Sequence, residues 1–269
     1  MRGKAISLLA TGGALGIAAV VTASLAAPRF ADLPRKAAQT SVDVELVLAV
    51  DISYSMDLDE LALQREGYTQ ALTSPEFLNA VKQGMHGKIA VTYFEWAGAA
   101  DQKEVMGWRI IDGAASARAA ADIISAAPIR RSYRTSISGA LLFAAPLFDN
   151  SGQRGIRRVI DVSGDGANNQ GPPVAITRDQ VLEKGITING LPIMLKRPSA
   201  ANMDLENLDI YYEDCVIGGA GSFVVPIRER EKFKEAIRTK MVLEIAGRQP
   251  EARVIPASTA EPRVSCLIG

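Results

Sequence analysis

Seven consecutive residues, Val44-Glu45-Leu46-Val47-Leu48-Ala49-Val50, are apolar but for one glutamate, and Asp51-Ile52-Ser53-Tyr54-Ser55 follows at once. A strand with one solvated face alternates apolar and polar residues. One that is apolar at successive positions is buried on both faces, the environment of a central parallel strand. Such a strand belongs in a layered α/β fold, with helices covering the sheet on both sides.

The rest of the chain supplies those layers. Lys88 to Trp96 reads as a second strand, Val105 to Ile111 as an edge strand hairpinned to it, Arg157 to Val162 and Gly185 to Leu191 as two further strands, and Phe223-Val224-Val225 as a short last one. Between them, Leu61, Leu63, Tyr68 and Leu72 recur at roughly helical spacing, and Ser74-Pro75-Glu76 opens a short helix with an N-cap and a proline at its first position. Further helices are expected over about 116–126, 138–148, 175–184 and 229–245. The expected fold is α/β, a doubly wound and mainly parallel six-stranded sheet with helices on both faces, over residues 43–247. A linker covers 27–42 and a C-terminal tail 248–269.

Arg2 and Lys4 precede an uncharged run from Ala5 to Ala27 that ends in Ser24-Leu25-Ala26. This is the pattern of a secretory signal peptide over 1–26, cleaved after Ala26. The apolar stretch is about 20 residues, long enough to span a bilayer, so an uncleaved inner-membrane anchor is the alternative. The protein is expected in the periplasm or secreted, or tethered to the membrane from the same side. In an oxidising compartment Cys215 and Cys266, the two cysteines of the chain, are expected to pair.

Composition removes several classes of function. With 30 Lys+Arg against 30 Asp+Glu the formal charge is zero, which gives no electrostatic footprint for nucleic acid. One histidine and two cysteines cannot build zinc fingers or His-rich zinc sites. Neither a phosphate-binding G-x-x-x-x-G-K-[ST] loop nor a G-x-S-x-G nucleophile elbow occurs.

In an open α/β sheet, ligands bind beyond the carboxyl ends of the strands, where the strand order reverses. Asp51, Ser53 and Ser55 follow the first strand there, and alternate residues of an extended loop point the same way. Arg134-Thr135-Ser136 and Ser163-Gly164-Asp165-Gly166 lie in loops that the fold brings alongside. Hard oxygens without imidazole or thiolate suit Mg²⁺, or Mn²⁺ or Ca²⁺, rather than zinc.

Asp51, Ser53, Ser55, Thr135 and Asp165 resemble the metal-ion-dependent adhesion site of von Willebrand factor A-type domains, and the resemblance extends over residues 43–247. The segments Gln64 to Tyr68, Val162 to Gly171 and Tyr211 to Gly219 are similar to those of a bacterial subgroup of exported proteins with this domain and no assigned function. The resemblance implies one divalent ion with an open coordination position that accepts an Asp or Glu carboxylate from a protein partner. It implies a binding module, not an enzyme. Gly164 departs from the pattern, since Thr or Ser is more usual before the third-loop Asp, and Ser163 is then a candidate to support the ligands from behind.

A metal-assisted hydrolase such as a phosphoesterase is the alternative use of the same ion, and Glu95 or a second aspartate would be its base. Phosphatases that use a strand-end Asp as nucleophile have a second Asp two positions on, where this chain has Ser53. A third reading has Ser53 and Ser55 merely capping the next helix, in a structural domain. His86 precedes its strand and belongs at the opposite edge of the sheet, which excludes a Ser-His-Asp triad. Asp161 is expected either to orient the ligands or to pair with Arg157 or Arg158. Arg130, Arg131 and Arg134 form a solvated face or steer an acidic partner.

Overall fold

A computed structural model of the chain describes residues 39–195, 206–247 and 262–267. The expected leader and most of the linker and tail lie outside these residues. Five strands form one sheet in the order β3-β2-β1-β4-β5. They are β1 (Thr40–Asp51), β2 (Ile89–Trp96), β3 (Gln102–Ile111), β4 (Gln153–Gly164) and β5 (Thr187–Pro192). All neighbours are parallel except β2 and β3, which form the expected antiparallel edge.

The apolar run of β1 works as its composition requires. Val44, Leu46, Leu48 and Val50 face one core layer and Val47 and Ala49 the other, and all six are buried. The first layer is covered by α1 (Leu58–Thr73), α2 (Pro75–Lys82), α3 (Ala114–Ala126) and α7 (Phe233–Ala246). The second is covered by α4 (Ile137–Leu147), α5 (Val174–Leu182) and the short α6 (Leu208–Tyr211). A single π-type turn, Tyr212–Val216, continues α6. The fold is therefore the doubly wound α/β sandwich. Among the described residues no helix is long and apolar enough to cross a membrane.

The sixth strand is the one element that does not form. Val224 and Ile227 make only isolated parallel bridges, to Gly190 and Ile193. The Gly190 N–H donates to Phe223 O, and the Val225 and Ile227 N–H groups donate to Gly190 O and Pro192 O. The bond missing from this ladder is the one residue 192 would donate to Val225. Proline has no N–H, so pairing breaks there and the segment runs on as irregular chain.

Candidate metal centre

Asp51 closes β1 and Gly164 closes β4, and these strands are neighbours in register, with Val50 beside Ser163. β1 and β4 are also where the winding of the sheet changes direction, so both loops leave at the switch point. The Ser53 N–H donates to Asp51 Oδ1 at 2.7 Å. The Ser53 and Ser55 hydroxyls are 2.7 Å apart, and Asp165 Oδ1 accepts from Ser55 Oγ at 2.5 Å and from Ser53 Oγ at 3.5 Å. Four of the five candidate residues thus form one hydrogen-bonded group across two loops.

Thr135 stands outside that hydrogen-bonded group, and a separate clamp ties its loop to the one that carries Asp165. The Thr135 N–H donates to Asn169 Oδ1 at 2.9 Å, and the Asn169 N–H donates to Thr135 O at 2.8 Å. Asn168 Oδ1 takes the Ser138 N–H and hydroxyl, and Ser136 Oγ donates to Gln170 O. The run Asn168-Asn169-Gln170 therefore fastens the Thr135 loop to the Asp165 loop. Thr135 Oγ1 lies 3.8 Å from where a Cβ on Gly166 would stand. Arg134, just before it, is held at φ 74°, a conformation that costs a non-glycine residue and marks a backbone fixed by its surroundings.

Asp51 is fully buried, and its Oδ2 has no hydrogen-bond partner. Burial first, and then the charge of Asp165, push its carboxyl well above the usual carboxylate range. A buried carboxylate oxygen left without a donor is costly. The donor set is oxygen throughout, with two carboxylates only, and among the described residues no three His, Cys, Asp or Glu side chains gather anywhere as a metal site. Two carboxylates and three hydroxyls, one carboxylate oxygen orphaned, fit a hard divalent cation of the magnesium or calcium kind.

Gly164 has a steric reason. A Cβ there would lie 2.8 Å from the Tyr212 hydroxyl and 2.9 Å from Asp51 Oδ2, so the usual Thr or Ser has no room. Ser163 is linked to Asp51 through Gln64. Its hydroxyl donates to Gln64 Oε1 at 3.0 Å, and Gln64 Nε2 donates to Asp51 O at 3.0 Å. Gln64 and Arg65 are positions whose roles sequence reading left open. The Arg65 guanidinium binds Glu95 and donates to Ala127 O and Pro128 O, fixing the loop that leads to Thr135. Their signal was present in polar side chains on the face of α1 that also carries Leu61, Tyr68 and Leu72.

Other expectations resolve individually. His86 lies at the far end of the sheet, where its N–H donates to Asp43 Oδ1. Trp96, which closes β2 as expected, is a core residue. Asp161 pairs with neither Arg157 nor Arg158. It is buried against Lys240 of α7, Nζ to Oδ1 2.5 Å, while Arg157 donates to Glu244 O and Ile245 O. Arg130 is drawn inward to Glu95 and Asp101 and Arg131 is half-buried against Tyr54, leaving Arg134 as the exposed cation of that loop. Cys215 and Cys266 form the expected disulfide.

A family model described as "Protein of unknown function (DUF1194)" matches residues 41–249. A search of curated protein sequences finds no match. Among solved structures, proximal thread matrix protein 1 from the mussel byssus superposes with a TM-score of 0.54 at 13% identity, over 77% of this chain and 49% of that one. This chain thus spans about half the length of the mussel protein. Another structure of that protein is described as having a zinc-occupied MIDAS motif (TM-score 0.51, 13% identity, 77% and 49% covered). A von Willebrand factor type A protein from Catenulispora acidiphila gives 0.52 at 15% identity, over 76% and 43%. The vWF domain of the type V pili tip protein Mfa5 from Porphyromonas gingivalis gives 0.52 at 11%, over 77% and 96%. The chain belongs to the DUF1194 family, and its fold is that of a von Willebrand factor A domain.

Proposed function

We propose that this protein is an exported binding module that holds one divalent cation, Mg²⁺ or else Mn²⁺ or Ca²⁺, through Asp51, Ser53, Ser55, Thr135 and Asp165. These residues would thereby present a cation to which a protein partner's carboxylate could bind. One observation carries the reading: two serine hydroxyls and the Asp165 carboxylate converge beside Asp51, whose buried Oδ2 has no donor. A cation held there would supply an electrophilic point for a carboxylate. The protein's own residues set its place, with Ser53 and Ser55 fixed by the Asp51 turn and Thr135 by the Asn169 clamp. The zinc-occupied motif of the mussel protein supports a divalent ion on this fold. The disulfide accords with the oxidising compartment that the leader implies.

A binding role is favoured over hydrolysis by the state of the acids. Glu95, the base a hydrolase would need, is buried and bound by Arg65 and Arg130. A panel of phosphomonoesters, phosphodiesters and esters, offered with Mg²⁺, Mn²⁺ and Ca²⁺, is expected to show no turnover that Asp51→Ala abolishes.

The site itself is tested by mass action. A ligand that binds only the folded state raises the melting temperature, by about 2.7 kcal/mol of stability at a hundredfold excess over Kd. Mg²⁺ or Mn²⁺ is expected to raise Tm in the wild type and to leave the folded Ser53→Ala/Asp165→Ala variant unmoved. A full response in that variant would remove these residues from the site.

A further inference from the structure

The loops that carry Ser53, Ser55 and Thr135 also carry an aromatic pair that the metal centre does not use. Tyr54 and Tyr133 stack with ring centroids 4.3 Å apart and planes 12° from parallel. Both stand in solvent, Tyr54 at 46% and Tyr133 at 72% exposure. Their backbones are tied together: Ser53 and Ser132 form a parallel bridge, the Tyr54 N–H donates to Ser132 O at 2.9 Å, and the Ser132 N–H donates to Ile52 O at 3.1 Å. Arg131 lies 4.6 Å from the Tyr54 ring centre and donates through Nη2 to Tyr54 O at 2.6 Å.

This is a rigid surface feature with no role in the core. Tyrosines held in place before binding offer large contact area at small entropic cost, which is why they anchor interfaces. Cations stand beside them. Arg130 is neutralised by Glu95 and Asp101, whereas Arg131 packs on the stack and Arg134 is exposed between Tyr133 and Thr135. Asp57, the first acid after Ser55, accepts the Glu60 N–H as the cap of α1. An acidic segment that brings a carboxylate to the loop ends would therefore lay its next side chain on the tyrosine stack.

We propose that Tyr54, Tyr133, Arg131 and Arg134 form a docking platform for an acidic peptide segment in which an aromatic side chain neighbours the metal-directed carboxylate. The proposal rests on the metal-dependent reading above, and its test separates the two.

The probes are three blocked hexapeptides that differ at the central pair, Glu-Trp, Glu-Gly and Gln-Trp, titrated calorimetrically into the purified protein with Mg²⁺ and again with EDTA. In Mg²⁺ the Glu-Trp peptide is expected to bind about tenfold more tightly than Glu-Gly, the scale of one good aromatic contact. Gln-Trp is expected to bind weakly. Tyr133→Ser should erase the tenfold preference and keep the wild-type rise in Tm with Mg²⁺. Equal Kd values for Glu-Trp and Glu-Gly, or a preference that survives Tyr133→Ser, overturns the platform. Failure of every peptide to saturate, with the Tm rise intact, overturns the platform and leaves the metal reading standing. A Tyr133-dependent preference that is the same in EDTA keeps the platform and removes the metal.

Discussion

Gly164 shows how one missing side chain shapes the centre. The space its Cβ would fill is bounded by the Tyr212 hydroxyl and Asp51 Oδ2, both buried and both without a hydrogen-bond partner. Gly164→Ala should cost about 1–3 kcal/mol of unfolding free energy, as overpacking does, and blunt the Mg²⁺-induced rise in Tm because Asp51 is displaced. Adding Tyr212→Phe removes one of the two collisions and should recover part of the stability. A full metal response in Gly164→Ala would argue that Asp51 Oδ2 does not face the cation. A second buried group lies away from the site, where Lys240 sits between Asp161 and Glu244, all three in the core. Asn189 of β5 also reaches Glu244, the Phe223 ring lies over the Lys240 ammonium, and Arg157 binds the adjacent carbonyls. One ammonium cannot balance two buried carboxylates, and burial, then the Asp161 charge, push the Glu244 carboxyl up to about 7. A carboxyl raised in the folded state contributes stability that is fully present below its unfolded value of 4.5 and lost as pH rises through about 7. Glu244→Gln removes that loss. Denaturant unfolding at about pH 5 and about pH 8 should therefore show the variant gaining on the wild type as pH rises. Parallel pH profiles would mean that Glu244 does not titrate in this window.

At the scale of elements, the parts that could be read from sequence were those whose physics is local. The apolar run of β1 needs two covering layers wherever it occurs, and Asp51-x-Ser53-x-Ser55 follows it without a gap. The Ser74-Pro75 start of α2 is also self-contained: Ser74 Oγ accepts the Phe77 N–H at 3.2 Å and proline occupies the first helical position. Parts that depend on a distant partner were less legible. The Phe223-Val224-Val225 run has the composition of a strand, but its pairing fails at a proline in the neighbouring chain segment. β4 begins at Gln153, and β1 at Thr40 inside the expected linker, because these first residues pair with each other in register while carrying little apolar signal. Asp161 is placed by a lysine nearly eighty positions away that reads as a surface residue until α7 is laid against the sheet. Of the candidate site, Asp51, Ser53 and Ser55 are proposed from their alternate spacing at a strand end, and Thr135 and Asp165 from the loops laid alongside and the resemblance to the adhesion site. The support beneath them, Gln64 to Asp51 and Arg65 to Glu95, needed α1 to be placed over β1 and β2 before its polar residues had a purpose.

At the scale of the whole molecule, the described tail segment is fastened to the body next to the centre without supplying a ligand to it. Cys266 bonds to Cys215, 51 positions earlier, in the turn that also carries Tyr212. Arg263 adds ion pairs to Glu213 and Asp214, and these pairs are largely solvated and worth little alone. The bridge is the stronger tether, because closing a loop of this length removes about 4 kcal/mol of chain entropy from the unfolded state. The candidate ligands hang from the ends of β1 and β4 and from the Thr135 loop, which are held by the sheet and by Asn169. Stability and metal response should therefore separate. A Cys215→Ala/Cys266→Ala variant is expected to lose up to about 4 kcal/mol of unfolding free energy. Its rise in Tm with Mg²⁺ should nevertheless match that of the wild type, measured at metal concentrations well above Kd. If the rise disappeared with the bridge while the variant remained folded, the turn holding Tyr212 would have to be counted among the elements that shape the centre, and the sheet edge alone would not be enough to form it.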